Sequence, residues 1–196
     1  DITAIGSHGQ TIRHRPDIDK PFSLQLGNAQ RIAGLTGIDV ISDFRTADIK
    51  AGGQGAPLAP AFHQAVFHHD KINRVIVNIG GIANITVLPK DKKQAITGFD
   101  CGPGNTLMDA WISKHKQQNY DAEGAFSASG KTNATLLAKL LMDDYFQLAP
   151  PKSTGFEYFN LEWLDKQKAK EMDNADIKRT IWDLTATSIF QAINQL

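Results

Sequence analysis

What this 196-residue chain lacks narrows its chemistry first. With a single cysteine, Cys101, no disulfide framework within the chain is possible, and a reducing compartment suits it. Twenty-one basic residues balance twenty-one acidic ones, so no overall field recruits nucleic acid or an anionic membrane, and any anion has to be held by a local site. No apolar run approaches the ~20 residues of a spanning helix, and no charged-then-apolar secretory signal opens the chain. A cytoplasmic protein without a membrane partner is the expectation. There is no HExxH among the six histidines, and one cysteine cannot build a zinc cluster, so no metal site is expected from side chains. The chain begins at Asp1 rather than methionine and enters an apolar run at once, which reads as a piece of a longer protein. What is present, 41% hydrophobic and 21% charged residues, is enough to build one globular domain or two small lobes.

Hydrophobic spacing gives an alternating order of elements. ITAI reads as a short strand ending at Gly6, followed by the loop SHGQTIRHRPDIDKP. FSLQLGN alternates apolar and polar residues over Phe22, Leu24 and Leu26, as a half-buried strand does. Asn28 is placed to cap the next helix and Gly37 to stop it. IDVISDF reads as a buried strand ending at Asp43, and Leu58, Phe62 and Phe67 recur at roughly helical spacing. RVIVNIGG and IANITVLP form a hairpin meeting at Gly80 and Gly81, and AITGFD is a third strand that ends at Asp100. Leu107, Met108, Trp111, Ile112 and His115 then mark a helix with Asn105 as its N-cap. TNATLLAKLLMDDYF and TIWDLTATSIFQAINQL read as amphipathic helices. The fold class is α/β, with a lobe boundary expected near residue 70.

Glycine and polar residues gather at strand ends: SHGQ, SDFR, AGGQGAP, NIGGIAN and GFDCGPGN. Ligands of α/β proteins lie at the carboxyl ends of strands, so the clustering suggests one cleft fed by several loops, although glycine also simply closes turns. In NIGGIAN, Gly80 and Gly81 let backbone N–H groups approach a phosphate, with Asn78 and Asn84 beside them. In GFDCGPGN, Gly102, Gly104 and Asn105 open a helix whose dipole favours an anion. A carboxylate in the same place needs a reason. Asp100 reads as a general base, with a helix cap as the plain alternative. Asp43 and Arg45 can grip a polar substrate, as can Ser7, His8 and Gln10, while a surface ion pair and a solvated histidine are the ordinary alternatives. GAFSASGKT imitates a phosphate-binding Walker loop but has one residue too many between Gly124 and Gly130 and no strand before it. GSHGQ lacks the spacing of a serine nucleophile elbow.

Taken in order, AIGSHGQTIRH, LQLGN, TGIDVISDFRTADIKAGGQGAPLAPAFH, VNIGGIANIT, GFDCGPGNTLMDAW, YDAEG and PKSTGFEYFNLEWL span nearly the whole chain and resemble the anhydro-N-acetylmuramic acid kinase family of bacteria. The resemblance implies an incomplete actin-like (ribonuclease H-like) two-lobed sugar-kinase fold, with residues 1–70 as the C-terminal part of the first lobe, 71–196 as a truncated second lobe, and the active site between lobes. It implies conversion of 1,6-anhydro-N-acetylmuramic acid, ATP and water to N-acetylmuramic acid 6-phosphate and ADP, in cell-wall recycling. Asp100 is then expected to activate the water. Ser7, His8, Gln10, Asp43 and Arg45 fall on the sugar side, and Asn78, Gly80, Gly81, Asn84, Gly102, Gly104 and Asn105 on the phosphate side. Mg2+ is implied by the nucleotide, and a homodimer by the intact family. The family's N-terminal phosphate loop and its C-terminal part are absent here, so this segment alone is expected to bind ATP poorly and turn over little. Two rivals remain. One is a non-catalytic actin-like binding module, which Asp100 argues against. The other is a glycoside hydrolase using Asp43 and Asp100, which ATP dependence would separate from a kinase.

Overall fold

In the computed structural model, which describes residues 1–168 and 171–196, the first elements are β1 (Ala4–Ser7), β2 (Gln10–Arg15), β3 (Phe22–Leu26), α1 (Ala29–Thr36), β4 (Asp39–Ser42) and α2 (Thr46–Lys50). β1 and β4 pair in parallel, with α1 as the crossover, and β2 and β3 form an antiparallel pair. Asn28 caps α1 by accepting from the Arg31 N–H at 2.8 Å, and Gly37 ends it in the left-handed region at φ 68°, both as the sequence suggests.

Four features of this region depart from expectation. The stretch QTIRHR is strand β2 rather than loop, because β3 lies beside it and supplies the ladder partners. Helix α2 is not expected from the sequence; its five residues are too few for an amphipathic period to show. The alternation in β3 also faces the other way: Phe22, Leu24 and Leu26 are 39%, 49% and 60% exposed, while Ser23 and Gln25 are half-buried. β4, expected to be buried, likewise exposes Ile41. Among the described residues of this region only Ile49 is a buried hydrophobic, because no described element covers those strand faces.

The remaining elements are α3 (Pro60–Phe67), β5 (Arg74–Ile79), β6 (Ile82–Leu88), β7 (Thr97–Pro103), α4 (Asn105–Lys116), α5 (Ala125–Ser129), α6 (Ala134–Leu141), α7 (Asp144–Gln147), α8 (Leu161–Gln167) and α9 (Asn174–Asn194). The chain divides into two compact units at Leu58 and Ala59, upstream of residue 70, since α3 packs on β6 and belongs with the downstream sheet. The architecture is mixed α/β. No described helix is long and apolar enough to cross a membrane.

In the second unit β5, β6 and β7 form an antiparallel sheet in that order. Because side chains alternate across a strand, Ala83, Ile85, Phe99 and Cys101 turn to one face, where Ile189 and Ala192 of α9 cover them. The opposite face carries Thr86, whose hydroxyl pairs with His63 of α3 at 2.9 Å. A second core joins Leu107 and Trp111 of α4, Leu136 and Leu140 of α6, Leu164 of α8, and Ile177, Ile181 and Leu184 of α9. Helix α9 serves both cores, which is why its buried positions run nearly from end to end. The single helix expected over TNATLLAKLLMDDYF is two, α6 and α7. Asp143 starts the second by accepting from the Tyr145 N–H at 3.0 Å.

Candidate functional site

Asp100 does not sit at a strand end, as expected, but within β7, which runs on to Pro103. Its neighbours explain how a carboxylate only 7% exposed is held there. Along the sheet it stands opposite Asn84, which in turn stands opposite Asn78, so the three share one face across three strands. Directly before Asn84 the register shifts and Cys101 becomes the extra residue of a bulge, the kind of irregularity that re-aims side chains. Along the other edge of β7 runs the stretch Lys152–Thr154. The Asp100 N–H donates to the Lys152 carbonyl at 3.1 Å, and the Thr154 N–H donates to Asp100 Oδ2 at 2.9 Å. From α7 the Tyr145 hydroxyl donates to the Asp100 carbonyl at 2.8 Å. Lys152 Nζ then reaches the Tyr145 carbonyl at 3.1 Å and lies 4.9 Å from the centre of its ring.

The electrostatics around Asp100 are governed by burial. It pushes the Cys101 thiol up to about 12, with the Asp100 charge adding to the rise and Lys152 opposing it, so Cys101 stays a neutral thiol at ordinary pH. Burial likewise raises the Tyr145 hydroxyl well above its ordinary range, again helped by Asp100, which keeps it a donor. Burial lowers Lys152, partly offset by Cys101. Behind Tyr145 the rings of Phe146, Tyr158, Phe159 and Trp163 stack edge to face or tilted, which makes this wall stiff.

The tip of the β5–β6 hairpin meets the start of α4. The N–H groups of Gly104 and Thr106 donate to the Gly81 carbonyl at 2.9 and 3.1 Å, and that of Asn105 donates to the Gly80 carbonyl at 2.7 Å. Three donors at a helix N-terminus are therefore satisfied by the two glycines of the hairpin. Asn105 is the first helical residue rather than the N-cap; Gly104 holds that position, with no side chain to cap. The close approach also explains the glycines physically. A Cβ on Gly104 would run into the Gly80 carbonyl oxygen and come within 3.2 Å of the Ala83 nitrogen, both of them backbone. Gly104→Ala is therefore expected to cost about 1–3 kcal/mol, as overpacking does, and to lower the melting temperature. Thermal unfolding of the variant beside the parent checks this, and an unchanged melting temperature would show that the tip and helix separate easily. Gly102, opposite Ala83 and buried, packs on Phe146 in the same way.

In the first unit Ser7, His8 and Asp43 line a cleft of about 220 Å³ together with Ser23, Gln25 and Gly27. Arg45 Nε donates to His8 Nε2 at 2.9 Å, and its Nη1 donates to the Gly55 carbonyl at 2.5 Å, so it buttresses the histidine from α2's edge. Asp43 is held at φ 56°, a region that non-glycine residues enter at a cost, and accepts from the Thr46 hydroxyl at 2.5 Å. Gln10 is exposed and bonds the neighbouring Thr11 carbonyl, outside the cleft lining. Sequence reasoning does not single out Ser23 and Gln25. Their polar side chains alternate with leucines on β3, and only the direction of that alternation, invisible without the tertiary structure, puts them in the cleft. It also passes over Tyr145, Lys152 and Thr154, which lie far from Asp100 in sequence.

Among the described residues no group of His, Cys, Asp and Glu gathers as a metal site.

The chain is thus a mixed α/β one in which a buried, hydrogen-bonded carboxylate lies in a sheet whose hairpin tip is locked to a helix N-terminus. A family model described as anhydro-N-acetylmuramic acid kinase matches residues 1–196, and the chain belongs to that family. It is 56% identical to an anhydro-N-acetylmuramic acid kinase of Shewanella amazonensis over 100% of this chain and 53% of the relative. It is 53% identical to one of Coxiella burnetii over 96% of this chain and 51% of the relative, and 55% identical to one of Shewanella oneidensis over 100% and 53%. The chain spans about half the length of the curated relatives it matches.

Proposed function

We propose that this chain is the central part of an ATP-dependent kinase that opens 1,6-anhydro-N-acetylmuramic acid with water and phosphorylates it to N-acetylmuramic acid 6-phosphate, releasing ADP. The observation that carries the reading is Asp100: a carboxylate buried in a sheet, beside a glycine hairpin, with one oxygen fixed by a backbone N–H, in a chain of this family. A pure binding module has little use for it. In this reading the Asp100 carboxylate takes a proton from water as the water oxygen attacks the anomeric carbon. The bond from that carbon to the 6-oxygen breaks, and the 6-oxygen keeps the electron pair. It then bonds to the γ-phosphorus as the bond to the β,γ-bridging oxygen breaks and ADP leaves. Placement and charge stabilisation do most of the work in such a transfer.

Ser7, His8, Asp43 and Arg45 are assigned to the sugar, with Gln10 beside them. Asn78, Gly80, Gly81, Asn84, Gly102, Gly104 and Asn105 are assigned to the nucleotide phosphates. Since the first N–H groups of α4 are already paired with Gly80 and Gly81 carbonyls, the glycines serve the phosphates by shaping the tip rather than through those donors. ATP enters as co-substrate with Mg2+, which is carried by the phosphates in this assignment. The fold of the whole is proposed to be actin-like and two-lobed, with the two units as parts of its lobes, and the intact enzyme a cytoplasmic homodimer. This segment by itself is expected to be inactive, since it spans about half of its relatives' length.

The test is a reaction of a full-length protein carrying this segment with the anhydro sugar, ATP and Mg2+ in ¹⁸O-labelled water, read by mass spectrometry. A phosphorylated sugar with one heavy oxygen at the anomeric carbon is expected. Ring opening without phosphorylation, equally fast without ATP, would replace the kinase by a two-carboxylate hydrolase. No conversion would leave a binding module.

A further inference from the structure

The glycine-rich stretch after α2, AGGQGAP, closes around one carboxylate. Asp48 Oδ2 accepts from the Gly55 N–H at 2.7 Å, and the Asp48 carbonyl accepts from the Gly53 N–H at 2.8 Å. A Cβ on Gly53 would run into the Asp48 carboxylate, and Gly55 stands at φ 65°, so both glycines let the loop close on this residue. An ion pair is the ordinary role of an exposed aspartate, yet among the described residues Asp48 forms none. The bonds run onward from the loop to the cleft of the first unit. The Gly55 carbonyl accepts from Arg45 Nη1 at 2.5 Å, Arg45 Nε donates to His8 Nε2 at 2.9 Å, and His8 Nδ1 lies 2.9 Å from the Gly9 carbonyl oxygen. A guanidinium has donors only, so Nε2 presents its lone pair and the ring proton sits on Nδ1, where the Gly9 carbonyl accepts it. Both ring nitrogens are thereby committed, and His8, which lines the cleft, is a fixed wall with no N–H left for a ligand.

We propose that Asp48 is a positioning residue for this cleft: by holding Gly55 it aims Arg45 at His8 and so sets the place and the tautomer of the ring. The inference rests on the sugar-side assignment above and deepens it. Asp48 acts only through others, along the bonds to Gly55, from Gly55 to Arg45, and from Arg45 to His8. Without the carboxylate the Gly55 N–H loses its acceptor, the loop is free to shift, and Arg45 loses the carbonyl that directs its fork. A displaced wall weakens the fit of a rigid bicyclic sugar. The proposed base, Asp100, is untouched by this change, so binding suffers more than the chemical step.

The experiment compares Asp48→Ala and Asp48→Asn with the unaltered full-length protein carrying this segment. It reads steady-state kinetics and the nitrogen NMR of ¹⁵N-histidine-labelled protein, with the His8 signals assigned through His8→Gln. Asparagine keeps an oxygen for the Gly55 N–H; alanine removes it. Expected for alanine is a rise in KM for the anhydro sugar of roughly fivefold to thirtyfold, the scale of one charge-assisted hydrogen bond, with kcat and KM for ATP within about threefold. Asparagine is expected to stay within about threefold of the parent in all of these. His8 of the unaltered protein should show the Nδ1–H tautomer, and the alanine variant a mixture with the Nε2–H form that prevails for a free histidine side chain. A merely structural carboxylate predicts a lower melting temperature for alanine with the sugar KM and ring signals of the parent, and that result overturns the inference. So does an Nε2–H ring in the unaltered protein, or an asparagine variant as impaired as the alanine one. Should alanine fail to fold, Asp48→Ser, whose hydroxyl is too short to reach Gly55, carries the test with the same outcomes. An unaltered protein without turnover overturns the kinase reading, while the ring signals still decide the role of Asp48.

Discussion

Asp100→Asn, in a full-length protein carrying this segment, is expected to reduce kcat by about 10²–10⁴-fold, the range that a positioned general base supplies. Asparagine matches the carboxylate in shape, and its carbonyl oxygen can still accept from the Thr154 N–H, so the strand, the Cys101 bulge and the Lys152 pairing have no reason to move. What is lost is the ability to take a proton. Sugar affinity, measured by titration calorimetry without ATP, should therefore change little while steady-state turnover collapses. Undiminished turnover would remove the base from the mechanism. A loss of binding in step with turnover would instead make Asp100 a substrate anchor.

The largest expected effect on stability lies elsewhere in the second unit. Asp121, from the YDAEG stretch, accepts from the N–H groups of Phe126 and Ser127 at 2.9 Å each and from the Ser127 hydroxyl at 2.7 Å. Its Oδ2 is also 3.5 Å from Nζ of Lys178 on α9, with the side chains 8% and 2% exposed. Burial pushes the Asp121 carboxyl up, but Ser127, the two backbone donors and Lys178 together hold it below the usual carboxylate range. Burial lowers Lys178 in spite of Asp121 and Asp109. Asp121→Ala would leave a buried ammonium without its partner, and a loss of about 3–5 kcal/mol is expected. At a few degrees per kcal/mol, that is a fall in melting temperature on the order of 6–20 °C.

Replacing both members, Asp121→Ala with Lys178→Met, should recover much of this, because no charge is then stranded. A double variant as unstable as the single one would shift the cost from the ion pair to the lost hydrogen bonds. The pH dependence has a definite sign. A carboxyl whose folded pKa is lowered stabilises the fold fully above its unfolded value of about 3.9. That contribution disappears as the pH falls through the lower folded value, so Asp121→Asn should flatten the acid side of the stability curve.

Local rules are enough wherever a feature depends on neighbours in sequence. The Asn28 cap, the Gly37 stop, the β5–β6 hairpin and helix α4 with buried Leu107, Trp111 and Ile112 follow from spacing and from which residues accept a hydrogen bond or tolerate a left-handed turn. Asp100 stands out in the same way, as a carboxylate among glycines at the mouth of a helix. The motif order is enough to suggest the family that the comparison shows.

Features that join distant segments need the tertiary structure. Nothing in QTIRHR announces a strand until β3 lies beside it, and nothing in FSLQL says which of its two faces is covered. The extension of β7 past Asp100 depends on pairing with β6, and Asn105 loses the capping position because Gly80 and Gly81 carbonyls reach the helix first. The surroundings of Asp100 come from residues 45 and 54 positions away, Tyr145 and Thr154. Caps, turns and periodicity act over a few residues, so the order of amino acids alone was enough to place the Asn28-capped helix, the β5–β6 hairpin and α4, and to single out Asp100 as a candidate. The donors that this carboxylate meets were settled by how strands, helices and straps pack at long range, which no local pattern encodes.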